Sequence, residues 1–410
     1  MEFIAIIIGI LAGLVAIVGG VIAAGKFVVE RWRREKHADP VIAAVGEQTE
    51  LLRQAVEMLG QMAEYLDGLP AAANRTIRDL FERGRERERR GEYREAIALF
   101  EACLQQGVSR SERIALNILI GNCYAVQSNL NEAEGSYDVA LSEARLAQDR
   151  EGIATALSNM GIVYRVRGNL DKALVHHQQA LDIHSDTANR VGQATDLNNL
   201  GLVYRDKGDL DKAIQYYQHA IAISRETGNR LSEARALNNL GIGYQQKDEL
   251  DNALRYHEQA LTIHKDIGHR LGEANALGNL GVVYERKKQL DRALEHYQQA
   301  LAIQKDIGNR SGEATSLGGL GVIYQRKGEL DRALEYNQQS VNIHREIGNR
   351  LGEARSLGNL GLVHEQKGEL GEALHKLKEA LVIFEEVGAT LDIQKTRRNI
   401  KLIEAKMGQE

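Results

Sequence analysis

The chain has 410 residues and a formal charge of −5, with 43% hydrophobic and 5% aromatic residues. That length leaves room for two or three domains, and the negative charge argues against a protein held on nucleic acid by phosphate contacts. Two cysteines, Cys103 and Cys123, are too few for a disulfide scaffold or a structural zinc site and point to a reducing compartment.

Phe3 to Gly25 carries no charged residue. As a helix it spans ~34 Å, enough for a ~30 Å hydrocarbon layer. No lysine or arginine precedes it, which is unlike a cleavable signal. Lys26, Arg31, Arg33, Arg34 and Lys36 follow it. By the positive-inside tendency that side stays in the cytoplasm. The expectation is a single-pass anchor over 1–29 in a lipid bilayer, with the amino terminus outside and the rest of the chain cytoplasmic. Small residues at Ala12, Ala16, Gly20 and Ala24 mark a face on which such helices associate.

Residues 30–70 read as a basic juxtamembrane segment followed by an amphipathic, coiled-coil-like stalk. Ile42, Val45, Thr49, Leu52, Val56, Leu59, Ala63 and Leu66 alternate at three- and four-residue spacing. This seam leaves its use open between self-association into a homo-oligomer and packing on the repeats or on the membrane. Gly68-Leu69-Pro70 ends the segment, and Ala71 to Arg75 reads as a short linker.

No proline follows Pro70, which favours uninterrupted helices. From 151 to 390 the sequence repeats every 40 residues. Gly161, Gly201, Gly241, Gly281, Gly321 and Gly361 mark the phase, and Ala173, Ala213, Ala253, Ala293, Ala333 and Ala373 follow each by twelve. A fixed period in the 20–50 range means a solenoid. Each unit reads as two amphipathic helices. Leu197, Leu200, Gly201 and Tyr204 line the first, and Ala213, Tyr217 and Ala220 the second. Gly228 closes the second helix and Asn229 caps the next. Weaker copies over 111–150 and 76–108 bring the count to eight. A single amphipathic helix through Ile393, Ile400 and Ile403 caps the end.

Leu197, Leu200-Gly201, Tyr204, Ala213 and Tyr217 resemble the signature of the tetratricopeptide repeat. Leucine stands where that signature has tryptophan, and the closing proline is missing. The longer unit is similar to the repeats of kinesin light chains and Pins-type adaptors. The resemblance implies an all-α, right-handed α-solenoid over 71–390, a capping helix over 391–410, and a concave face lined by the first helices. It also implies a scaffold or adaptor that binds a peptide segment of a partner protein, with no cofactor and no catalytic residues.

Asparagines recur on that face at Asn159, Asn199, Asn239, Asn279 and Asn359, with Asn198 and Asn238 beside them. In related adaptors such a ladder fixes a ligand's main chain; the other reading is that these carboxamides cap neighbouring backbone groups. An aliphatic stripe runs alongside, at Ile162, Leu202, Ile242, Val282, Val322 and Leu362. Arg165, Arg205, Arg235, Arg286, Arg326 and Arg355 outnumber the acids among them. That balance favours an acidic or C-terminal peptide ligand. The alternative function is a self-assembling structural or membrane-effector protein whose repeats cluster the anchors.

Twelve histidines invite a metal reading, but His177 and His184, like His257 and His264, lie ~10.5 Å apart along one helix, too far to share an ion. No phosphate-binding loop and no nucleophile–base pair is evident, so the chain is not read as an enzyme.

Overall fold

A computed structural model describes residues 71–408 apart from 388. The apolar run 3–25 and the heptad segment 42–66 lie outside the described residues. Among those residues there are seventeen helices and no strand. They are α1 (Ala71–Arg89), α2 (Tyr93–Leu104), α3 (Arg110–Val126), α4 (Leu130–Ala147), α5 (Arg150–Val166), α6 (Leu170–Asp186), α7 (Arg190–Asp206), α8 (Leu210–Glu226) and α9 (Arg230–Gln246). The order continues with α10 (Leu250–Asp266), α11 (Arg270–Arg286), α12 (Leu290–Asp306), α13 (Arg310–Lys327), α14 (Leu330–Glu346), α15 (Arg350–Gln366), α16 (Leu370–Glu386) and α17 (Thr390–Met407). None of the described helices is long and apolar enough to cross a membrane.

Helices α1 to α16 form eight helix–turn–helix pairs, and α17 closes the series. One boundary differs from the sequence reading: Ala71 to Arg75, expected as a linker, is the first turn of α1. Three alanines, the best helix formers, open it.

From α1 to α16 each connection between successive helices turns through one residue at positive φ, such as Gly208 (+83°) within a pair and Gly228 (+66°) between pairs. Asn229 then accepts from the backbone N–H of Ser232 at 3.2 Å and caps α9. Lys288 holds the same left-handed conformation (φ 60°) with a side chain, which costs about 1–2 kcal/mol in an L-residue. Lys288→Gly is expected to raise stability by about 0.5 kcal/mol or more, because relieved strain outweighs added chain entropy; a urea melt reads it.

The core lies between helices of a pair and between neighbouring pairs. Tyr217 on α8 is fully buried and lies flat against the backbone of Gly201 on α7. A Cβ there would stand 2.5 Å from the ring. Beyond their chain neighbours, the first helices of successive pairs (α3 and α5, α5 and α7, through α13 and α15) approach one another directly. The second helices are set outside this row. The odd-numbered helices therefore form the inner face of the stack and the even-numbered ones its outer layer.

Ion pairs lace the repeats at the same register. Lys207–Asp171 (2.6 Å), Lys247–Asp211 (2.7 Å), Lys327–Asp291 (2.6 Å) and Lys367–Asp331 (2.9 Å) each join one pair to the previous one. Their aspartates are almost fully exposed, so each contributes at most about 1 kcal/mol.

Candidate functional site

The inner face is built from one helical stripe of each odd helix. Ile162, Leu202, Ile242, Val282, Val322 and Leu362 occupy the same position on α5 to α15 and are all half-buried. On α17 Leu402 continues the stripe and is 53% exposed.

The structure ties most of the asparagines to one another. Asn239 Nδ2 donates to Asn198 Oδ1 at 2.9 Å, Asn279 Nδ2 to Asn238 Oδ1 at 3.0 Å, and Asn159 Nδ2 to Asn122 Oδ1 at 3.3 Å. Asn238 Oδ1 also lies 2.8 Å from His257 Nδ1. With Nδ1 as the donor, that oxygen accepts twice. Asn199 and Asn359 make no side-chain hydrogen bond within the described residues. The carboxamides thus splice repeats together before any ligand arrives.

The arginines are engaged as well. Asp206 takes both Arg165 and Arg205 at 2.9 Å. Arg286 pairs with Asp248 at 2.8 Å, Arg326 with Glu285 at 2.7 Å, and Arg355 with Asp392 at 3.3 Å. Arg235 lies between α9 and the imidazoles of His264 and His269, whose pKa values it helps to lower. Burial pushes the Glu285 carboxyl up, against the pull of Arg326 and Arg286. The basic excess on which an acidic ligand was expected is largely cancelled by these carboxylates. Their signal was in the sequence: Arg165 and Asp206, Arg326 and Glu285, Asn239 and Asn198 all lie 41 residues apart, one period plus one.

A buried polar cluster at the junction of α5, α6 and α7 was not anticipated. Asp196 is fully buried where the other repeats between 151 and 390 place alanine or serine. Its carboxylate accepts from Ser158 Oγ at 2.7 Å and meets His184 Nδ1 at 2.6 Å. Burial works against a charged His184, but the hydrogen bond and charge of Asp196, with Glu151 beyond, hold its pKa above the ordinary value. Serine, histidine and aspartate meet here without forming a nucleophile–base pair, because the hydroxyl bonds the carboxylate and not the imidazole. Asp196→Asn is expected to cost about 2 kcal/mol, since it leaves the imidazole without its counter-charge. Chemical denaturation measures it.

Burial pushes the Cys103 thiol up to about 11, so it is a packing residue and not a nucleophile. Among the described residues no three His, Cys, Asp or Glu side chains converge as metal ligands.

A family model for the tetratricopeptide repeat matches residues 112–185, 152–226, 232–306 and 312–386. The chain belongs to the tetratricopeptide repeat family. No enzyme family is indicated, and none of the curated proteins matches the chain. Among solved structures, a Rap protein complexed with competence and sporulation factor has a TM-score of 0.54 at 14% identity, over 81% of this chain and 98% of that one. The apo form of RapI gives 0.54 at 16% identity, over 67% and 99%. A signal transduction ATPase with numerous domains and a tetratricopeptide repeat sensor, from Pyrococcus horikoshii, gives 0.56 at 17% identity. That match covers 73% of this chain and 46% of the ATPase. These likenesses are of fold.

Proposed function

We propose that this tetratricopeptide repeat protein is a scaffold that docks a polypeptide segment of a partner along the inner face of its odd helices. The uncharged run 3–25 tethers it to a bilayer, with the repeats on the cytoplasmic side. The observation that carries the docking reading is the aliphatic stripe from Ile162 to Leu402, repeated once per odd helix and left half-exposed between charges that cancel. Such a surface takes up apolar side chains at regular intervals, and Asn199 and Asn359 are free to pair with a ligand main chain. The anchor reading is supported by the length and polarity of 3–25 and by the cations after it.

Selection of peptides from a displayed library against the full chain in detergent tests the docking. Binders are expected to lose at least about tenfold affinity on Ile242→Asp or Val322→Asp, as a hot-spot pocket would. Affinity is expected to change by less than about threefold between about 0.05 and about 0.5 M salt, because the arginines are already paired. Binding that survives both aspartates moves the site off the inner face.

A second reading, self-assembly of the repeats, is favoured by one observation. Leu402 and Met407 on α17 stand 53% and 43% exposed, an apolar surface that a second copy can cover.

A further inference from the structure

The inner face has two unlike halves. On α7 and α9 the position before the ladder asparagine is filled by Asn198 and Asn238, each bonded to the next repeat. On α11, α13 and α15 the same position is Gly278, Gly318 and Gly358. A Cβ at Gly278 or Gly358 would meet nothing within 4 Å, and at Gly318 only Ser340 Oγ at 3.5 Å. Beside this bare backbone run Val282, Val322, Leu362 and the exposed Leu402. Helices α11, α13 and α15 therefore present an apolar channel that is open where the preceding half is occupied, and α17 places Arg398 at the same position.

The dimensions of the channel suit a particular occupant. Packed helices lie ~8–10 Å apart, and a helix advances ~10.5 Å in seven residues. A helix with apolar residues every seven positions thus meets one odd helix per heptad. This chain carries such a segment: Val45, Leu52, Leu59 and Leu66 fall seven apart within the heptads of 42–66. Charge also matches. Within 42–66, Glu47, Glu50, Glu57 and Glu64 stand against Arg53 alone. On α17, Arg397 and Lys406 pair with Glu385 and Glu365, which leaves Lys395, Arg398 and Lys401 to face an acidic segment.

Chain length decides which copy supplies the segment. Leu66 is five residues from Ala71, at most ~18 Å at full extension. Helix α11 is five odd-helix steps from α1, ~40 Å or more. A helix over 42–66 seated there would need Leu66 on or beyond α11, so a chain's own segment does not reach its last repeats.

We infer that segment 42–66 of one copy docks in the channel over α11, α13, α15 and α17 of a second copy. This inference rests on the inner face being a polypeptide-docking surface. The contact is head-to-tail, since each copy offers one segment and one channel, so assembly extends beyond two chains unless it closes into a ring.

Sedimentation of the full chain in detergent tests this with two variants. The first blocks the channel with Gly318→Leu and Gly358→Leu. Leu402→Arg serves as a companion, placed on an exposed side chain so that misfolding does not explain its result. The second breaks the segment with Leu52→Asp and Leu59→Asp. The expected result is that wild type grows in mass with concentration and each variant alone does not. An equal mixture of the two should form dimers only, because one intact channel meets one intact segment. Assembly that survives blocking of the channel but not breaking of the segment would show segment-to-segment pairing and overturn the inference, as would wild type that stays a single chain. If library-selected peptides still require Val322 while wild type never associates, the docking reading stands and self-docking alone is lost.

Discussion

Lowering the pH from 7.5 to 5 is expected to unfold the middle repeats of this protein, while a variant at three histidines loses much less of its melting temperature, with His269 and His344 left as the remaining imidazoles whose pKa burial lowers. His177, His257 and His264 are at most 3% exposed. Neither ring nitrogen of His177 has a partner, nor does His257 Nε2. Burial, with Arg165 and His176 adding to it, drives the His177 pKa down to about 3. Burial takes His257 to about 4, and burial with His269 and Arg235 takes His264 to about 3. Each folded value lies below the unfolded one of about 6.5. The unfolded chain therefore takes up protons first as the solution is acidified. The contribution of each neutral imidazole is whole above pH 6.5 and is lost as pH falls towards 3–4. At pH 5 the loss is about 2 kcal/mol per histidine, or about 6 kcal/mol for three, comparable with the whole stability of many domains. His184, held above its usual pKa, works in the opposite sense and offsets part of this. The repeats themselves supply the control substitutions. Tyr217 and Tyr297 fill the place of His177 and His257, and Gln304 that of His264. Circular dichroism melts of wild type and of His177→Tyr/His257→Tyr/His264→Gln at both pH values check it. Equal acid losses in the two proteins would remove the histidines as the cause.

The same repeats show how far sequence reasoning reached. The period of 40, the Gly201 and Ala213 columns and the Gly228–Asn229 junction fixed the helix pairs, because local turn chemistry and helix periodicity are written in adjacent residues. The aliphatic stripe was legible for the same reason. What the arginines and asparagines do was not, since it depends on how one repeat is offset against the next. Arg326 reads as a free cation until Glu285, 41 residues earlier, is brought to 2.7 Å. Asp196 was silent because one polar residue in an alanine column carries no periodic signal. Its role appears only when Ser158 and His184 close around it. Residues 42–66 were read from heptads alone, and the use of that seam is decided by whatever surface it meets.

Two glycines six residues apart on α11 are expected to respond to alanine with opposite signs. Gly272 sits where a Cβ would stand 2.3 Å from both His264 Cε1 and His269 Nδ1. Both rings are held by the neighbouring helix end, and His269 Nδ1 accepts the Gly272 backbone N–H at 2.9 Å to cap the helix. Gly272→Ala must displace the cap or part α10 from α11, at a cost of about 3 kcal/mol or more. Gly278 faces the open channel with nothing within 4 Å of the added carbon. There alanine removes the entropic disadvantage of a mid-helix glycine and is expected to stabilise by up to about 1 kcal/mol. Urea denaturation of the two single variants, at pH 7.5 where His264 and His269 are neutral, gives the comparison. A stabilised Gly278→Ala protein means that the fold does not require the missing side chain at this position, which leaves what docks in the channel as the reason for its absence. If both alanines destabilise alike, then Gly278 belongs to the packing of the repeats and the channel loses its functional reading.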